Sequence, residues 1–143
     1  MRISLDISTN PSDYAFFFDI RVRFAETDAM GVAHHSSYVA WLEASRVEFL
    51  RKLGTPYPDI RAQGFDFAVL ELFTNYRRSA QFDDVVRVHT GISLFRAATF
   101  QMNYLLVVEG EVCALAATVH GVVDSTGRAA RAPSWMRELL AGA

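Results

Sequence analysis

The chain contains a single cysteine, Cys113, which excludes an intramolecular disulfide framework and leaves no C-x-x-C pair for zinc or redox chemistry. A reducing, cytoplasmic setting is the expectation. No stretch approaches the roughly 18 uncharged residues of a membrane span, and the N-terminus carries Asp6 and Asp13 where a secretory signal needs an uninterrupted apolar run. An excess of positive charge is missing as well. The formal net charge is -2, whereas a nucleic-acid partner calls for a strongly basic surface. Also missing are a G-x-S-x-G elbow, a phosphate-binding Gly-rich loop and a G-x-G-x-x-G fingerprint, so serine-hydrolase and nucleotide-fold readings fall away.

What is present suits one compact domain. With 51% hydrophobic residues over 143 positions, the chain is too apolar to stay disordered and long enough to bury about two-thirds of its unfolded surface. Residues 1–15 are polar and aperiodic, with Asn10-Pro11 as a turn signal. They are expected to be a flexible lead-in with little part in the core, and residues 16–143 the folded domain.

From Phe16 the pattern alternates: Phe18, Ile20, Val22 and Phe24 on one face, Asp19, Arg21 and Arg23 on the other, as a half-buried strand requires. A polar loop follows, with Ser36 or Ser37 placed to cap a helix. That helix is predicted to run to about Leu53. Tyr38, Trp41, Leu42, Ser45, Phe49 and Leu53 keep helical spacing, and Val39, Ala40, Ala44, Val47 and Leu50 widen the apolar arc, so most of it should be buried. Glu48 and Lys52 form an i,i+4 pair, Gly54 suits a left-handed stop, and Pro56 blocks continuation.

After a connector over residues 55–64, four extended segments are predicted: Phe65–Arg77, Val85–Phe95, Ala98–Val108 and Glu111–Asp124. Short connections favour an antiparallel meander. Pro133 to Leu140 should form a short helix or an extended contact. A helix too apolar for exposure, followed by strands with one apolar face, is best buried by wrapping the sheet around it. Sheet edges left open by that arrangement favour a homodimer.

The candidate chemistry lies between Val22 and Gly54. Asp28 is a turn residue or a carboxylate beside the positive end of a buried helix, where free N–H groups can hold an oxyanion. Gly31 either lets backbone approach a ligand or supplies a positive φ. His34 and His35 are adjacent, so they point apart, and His89 and His120 belong to other strands; no metal and no cofactor is expected. One of the pair is left to bond Asp28, orient a substrate or fill space. Cys113, in V-C-A-L-A-A-T-V, reads as a buried small residue. Glu71 and Asn75 share a predicted face with Phe67, Val69 and Phe73. Arg77, Arg78, Arg96, Arg128 and Arg131 sit at strand ends or turns, as ordinary surface or as a phosphate-holding mouth.

The run R-F-A-E-T-D-A-M-G-V-A-H-H-S-S-Y-V-A-W-L-E-A-S-R-V-E-F-L-R closely resembles the opening signature of hotdog-fold acyl-CoA thioesterases of the 4-hydroxybenzoyl-CoA thioesterase and YbgC/FadM type. The likeness continues through Y-R-R-S-A-Q-F-D-D-V-V-R-V-H-T to about Pro133. It implies an α+β hotdog fold, a five-stranded antiparallel sheet around one long central helix, with homodimers, often homotetramers, whose active sites lie at the subunit interface. It also implies hydrolysis of an acyl-CoA or acyl-carrier-protein thioester. Asp28 falls on the family's catalytic carboxylate, a nucleophile or a general base, and His35 on the helix entrance whose backbone N–H serves as oxyanion donor. Gly31, His34 and Tyr38 are carried over as substrate-binding positions, and Arg96 and Arg128 as contacts to the CoA nucleotide. Phe24 stands where some relatives carry Tyr, and Ala97 and Ala98 replace basic residues of one branch. The rival readings are a non-hydrolytic domain that binds an acyl thioester or other hydrophobic ligand, and a hotdog dehydratase, from which the E-T-D-x-M-G pattern points away.

Overall fold

The structure, a computed structural model, describes residues 2–143. Five strands form one antiparallel sheet: β1 (Phe16–Arg21), β2 (Phe65–Tyr76), β3 (Val85–Phe95), β4 (Thr99–Val108) and β5 (Glu111–Asp124), in the order β1-β3-β4-β5-β2. Three helices accompany it: α1 (Ser37–Lys52), α2 (Tyr57–Ala62) and α3 (Ser134–Ala141). Among the described residues no helix is long and apolar enough to cross a membrane.

The sheet curls around α1, as its sequence pattern demands. Tyr38, Trp41, Leu42, Ser45 and Phe49 recur at helical spacing and are buried. They meet the inward row of β4, namely Phe100, Met102, Tyr104 and Leu106, together with Ala114, Ala116 and Val122 of β5. The alanines of β5 leave room for the helix. A large side chain fully buried here contributes ~1.5–3 kcal/mol, and truncating Trp41 or Phe49 to Ala would cost ~3–5 kcal/mol. Val39, Ala40 and Glu43 face outward, so the helix is less covered than its wide apolar arc suggests. Gly54, at φ +86°, closes it. Glu48 meets Arg51 at 3.4 Å rather than Lys52, a partly exposed pair of small energetic weight.

Several expectations are corrected. Ser36 makes no side-chain cap; its hydroxyl lies 2.7 Å from His34 Nδ1, and Ser37 Oγ donates instead to the Glu26 carbonyl at 2.9 Å. β1 ends at Arg21, and Phe24 lies in a 3-10 turn over Phe24–Glu26, 76% exposed, with its ring edge-on to Phe82. Only β3, β4 and β5 form a meander. β2 skips to the far edge beside β5, because the 77–84 connection crosses the end of α1, burying Ala80 and bridging Gln81 to Val32.

In β2 a bulge between Val69 and Glu71 turns the alternation over. Val69 pairs with inward-facing His120, whereas Glu71 pairs with Val119, so Glu71 and Phe73 leave the face of Phe67 and Val69. Glu71 therefore lines no cleft. It accepts the Ile3 N–H at 2.8 Å on the outer surface of the sheet. There the N-terminal segment, expected to take little part in the core, packs on the outer surface of the sheet. Ser4 exchanges two 2.8 Å hydrogen bonds with the buried Gln101 amide, and Ile7 and Tyr14 pack on Leu105, Val107 and Leu115.

Candidate active site

Past β1 the chain stays tied to the sheet connection, with Val22 N–H bonded to Asp84 O at 2.8 Å, and then turns back as a small hairpin. Thr27 bridges Ala33, Asp28 N–H donates to Val32 O at 2.9 Å, and Gly31 N–H donates to Asp28 O at 3.0 Å. Gly31 sits at φ +78° with open space where a Cβ would be. Glycine is required there by backbone conformation, not by a close approach within the chain. Asp28 is half-buried, and its Oδ1 accepts the Met30 N–H at 2.9 Å. The carboxylate is thereby oriented by its own turn, with Oδ2 uncommitted among the described residues.

Glu26 holds this loop to α1. It is 8% exposed, and its carboxylate accepts the Trp41 indole N–H and the Arg23 backbone N–H, each at 2.8 Å. Burial pushes its pKa up, but those donors and the Arg23 guanidinium outweigh it and hold the carboxyl below its ordinary value. Its carbonyl accepts the His34 N–H at 2.8 Å. The sequence reading gave Glu26 no role of its own. The available signal was a carboxylate two residues before Asp28 and 15 before a helix Trp, with no cationic neighbour other than Arg23.

At the entrance of α1, Tyr76 Oη donates to His35 O at 3.0 Å, and the His35 N–H makes no hydrogen bond among the described residues. A cleft of about 340 Å³ opens here, lined by Asp28, Val32, His35, Tyr38, Tyr76 and Arg77 among others. Tyr38 is buried between Trp41 and Tyr76, with ring centroids 4.7 and 4.9 Å away. Burial raises its phenol pKa. The site thus offers an oriented carboxylate, an open amide donor at a helix start, and apolar walls.

Not every residue singled out from the sequence arrives here. His34 stays outside the cleft, its ring tilted against that of His35 with centroids 4.0 Å apart, and its Nδ1 accepts the Ser36 N–H at 3.1 Å. Neither histidine bonds Asp28 among the described residues. Arg96 and Arg128 are exposed at other turns and do not line this cleft; the basic residues beside Asp28 within the chain are Arg77 and Arg78. Strand pairing explains it, since Arg128 N–H-bonds the turn after β5, beside the Phe65 end of β2, while the cleft lies at the Tyr76 end. Cys113 is buried, its thiol pushed up to about 11 by burial, and is unsuited to attack as a thiolate. Among the described residues no cluster of three His, Cys, Asp or Glu could hold a metal ion.

A five-stranded antiparallel sheet curled around one long helix is the architecture of the hotdog-fold thioesterases. Residues 22–140 match the Thioesterase-like superfamily, and the chain belongs to it. It is 36% identical over 96 residues to the acyl-CoA thioesterase YbgC of Haemophilus influenzae, covering 66% of this chain and 71% of that protein. Among solved structures, a hypothetical protein of Thermus thermophilus is 39% identical with a TM-score of 0.85, covering 88% of this chain and 97% of its own. A DHNA-CoA thioesterase of Staphylococcus aureus is 30% identical with a TM-score of 0.83, covering 88% of both chains.

Proposed function

We propose that the protein hydrolyses acyl-CoA or related acyl thioesters at the cleft between Asp28 and the entrance of α1. The observation that carries the reading is the pairing of the Asp28 carboxylate with the uncommitted His35 N–H on one cleft wall. The relatives named for acyl-CoA and DHNA-CoA hydrolysis support the substrate class. The thioester oxygen takes a hydrogen bond from the His35 N–H, and that bond strengthens as the carbonyl becomes a tetrahedral oxyanion. Asp28 either removes a proton from an attacking water or attacks the carbonyl itself, forming an anhydride that water then opens. Both routes end the same way: the C–S bond breaks, the thiolate leaves and takes up a proton, and the acid is released. Arg77 and Arg78, exposed at the rim, suit the phosphates of a CoA arm.

The working unit in this reading is a homodimer. β2 is an edge strand on which Val69, Leu70, Leu72 and Tyr76 are exposed. Antiparallel pairing of β2 with β2 of a second copy covers these residues and closes the β2 edge of each copy. It also lays the Tyr76 end of one copy beside the Phe67 end of the other, bringing a second set of walls, and the Arg128 end, to each Asp28. A tetramer made by stacking the outer sheet surfaces would need the Ser4–Ile7 segment to move aside.

The test is Asp28→Asn, which keeps shape and removes charge. With thiol release measured on benzoyl-, phenylacetyl- and medium-chain acyl-CoA, kcat should fall by ~10²–10⁴-fold at unchanged melting temperature. Unchanged kcat sinks the assignment of Asp28. Saturable binding of all esters by the wild type without thiol release would favour the non-hydrolytic binding domain.

A further inference from the structure

A second cavity of about 290 Å³ lies between the middle of α1 and the sheet, lined by Arg46, Tyr57, Phe67, Phe100, Met102 and His120 among others. Its walls are largely apolar, yet one lining residue, His120, 2% exposed, has a ring nitrogen with no partner: Nδ1 is buried and unbonded. A buried orphan of this kind carries an uncompensated desolvation cost and calls for an explanation.

The neighbours of His120 fix which kind of orphan it is. Arg46 Nη1 donates to Tyr104 Oη at 3.2 Å. An arginine has no acceptor, so the Tyr104 hydroxyl proton must go elsewhere, and the other partner within reach is Thr118 Oγ1 at 2.8 Å. Thr118, accepting from Tyr104, then directs its own proton to His120 Nε2 at 2.7 Å. Nε2 is the acceptor, so the proton of the neutral ring sits on Nδ1. The ring is kept neutral because burial, and then the Arg46 charge, press its pKa down to about 3. The chain of bonds starts at a cation and ends as one N–H donor, on a ring stacked 5.0 Å from Phe100.

We infer that His120 is a specificity-determining residue of the acyl pocket, its Nδ1–H selecting acyl groups that carry an acceptor oxygen at their distal end, such as a hydroxyl or keto group. The inference rests on the thioesterase and β2-paired dimer reading, in which this cavity stands beside the Asp28 cleft of a second copy. An unsubstituted acyl group entering the cavity leaves the donor unpaired, whereas an oxygenated one satisfies it. Discrimination from a single such bond is ~10- to 100-fold.

Two measurements on the full-length protein test this. Long-range proton–nitrogen spectra of histidine-labelled protein should show His120 as the neutral Nδ1–H tautomer, and that signal should shift on adding 4-hydroxyphenylacetyl-CoA but not phenylacetyl-CoA. An Nε2–H tautomer overturns the inference, as does a signal that neither ester moves, the result expected if water alone fills the cavity. In thiol-release kinetics the wild type should prefer the hydroxylated ester in kcat/KM, and in His120→Phe, which keeps ring and stacking, that preference should collapse by ~10- to 100-fold. A ratio unchanged by the substitution, or absent in the wild type, overturns it. Failure of the wild type to release thiol from either ester instead sinks the hydrolase reading, and the spectral titration then decides the role of His120 by itself.

Discussion

The Trp41 indole N–H donates to Glu26 Oε2 at 2.8 Å, joining the second turn of α1 to the loop that carries Asp28. Helix and loop are thereby one rigid unit. The same carboxylate accepts the Arg23 N–H, and the Glu26 carbonyl accepts from His34 and Ser37. Asp28 itself touches only its own turn.

Glu26→Ala should therefore destabilise the fold by about 2–4 kcal/mol, because it leaves the buried Trp41 indole N–H and the part-buried Arg23 N–H without their acceptor. Urea unfolding measures the loss. Glu26→Gln, which still accepts from Trp41, should lose roughly half as much. A Glu26→Ala variant as stable as the wild type would remove Glu26 from the scaffold of the site.

The architecture was legible where the signal is local. The 3.6-residue spacing from Tyr38 to Phe49 matches the buried side of α1, and the alternation from Phe100 to Val108 picks out the row of β4 that faces it, although the other row of β4 is buried as well. The Leu70 bulge was invisible because β2 is apolar on both sides of it. Glu26 was passed over because a loop glutamate normally faces water, and its burial is decided by a tryptophan on another element. Asp28, His35 and Tyr38 meet in one cleft, but neither a place at a strand end nor likeness locates Arg96 and Arg128, which strand order puts elsewhere in the chain.

Stability should fall as pH drops below 6.5. His120 is depressed from an ordinary 6.5 to about 3, and His89 is also lowered, chiefly by burial. Between those limits the unfolded chain binds a proton that the folded chain excludes, so unfolding gains on acidification. From pH 7 to 5, His120 alone accounts for about 2 kcal/mol. Glu26 acts lower, its contribution being present above its ordinary value of 4.5 and lost as pH falls through its depressed folded value. Denaturant melts at pH 7, 6 and 5 check the slope, which His120→Phe should flatten.

If β2 pairs with its copy, Leu72→Asp should break the dimer. Leu72 is 46% exposed on the open edge, so the substitution is tolerated by the monomer and costly only when that edge is covered. Light scattering at micromolar concentration should show a shift toward monomer, with kcat/KM lower by ~10-fold or more as the second copy's walls are lost. A dimer that persists with full activity would move the interface elsewhere.

The N-terminal segment supplies the last test. Gln101 is fully buried in the outer face of β4, and its amide is satisfied by the Ser4 N–H and C=O and by Asn103. Beside it Ile7 shields Leu105 and Leu115. Removing residues 2–9 opens Gln101 and Glu71 to water and uncovers that apolar strip. The expected cost is about 2–4 kcal/mol, from two hydrogen bonds to Gln101 and one apolar side chain. The freed strip lies on a regular sheet surface, so the truncated protein should also associate further, as sheet stacked on sheet. Thermal melts and sedimentation read the two effects separately. Equal stability and unchanged mass would show that the segment rests on the sheet without holding or shielding it.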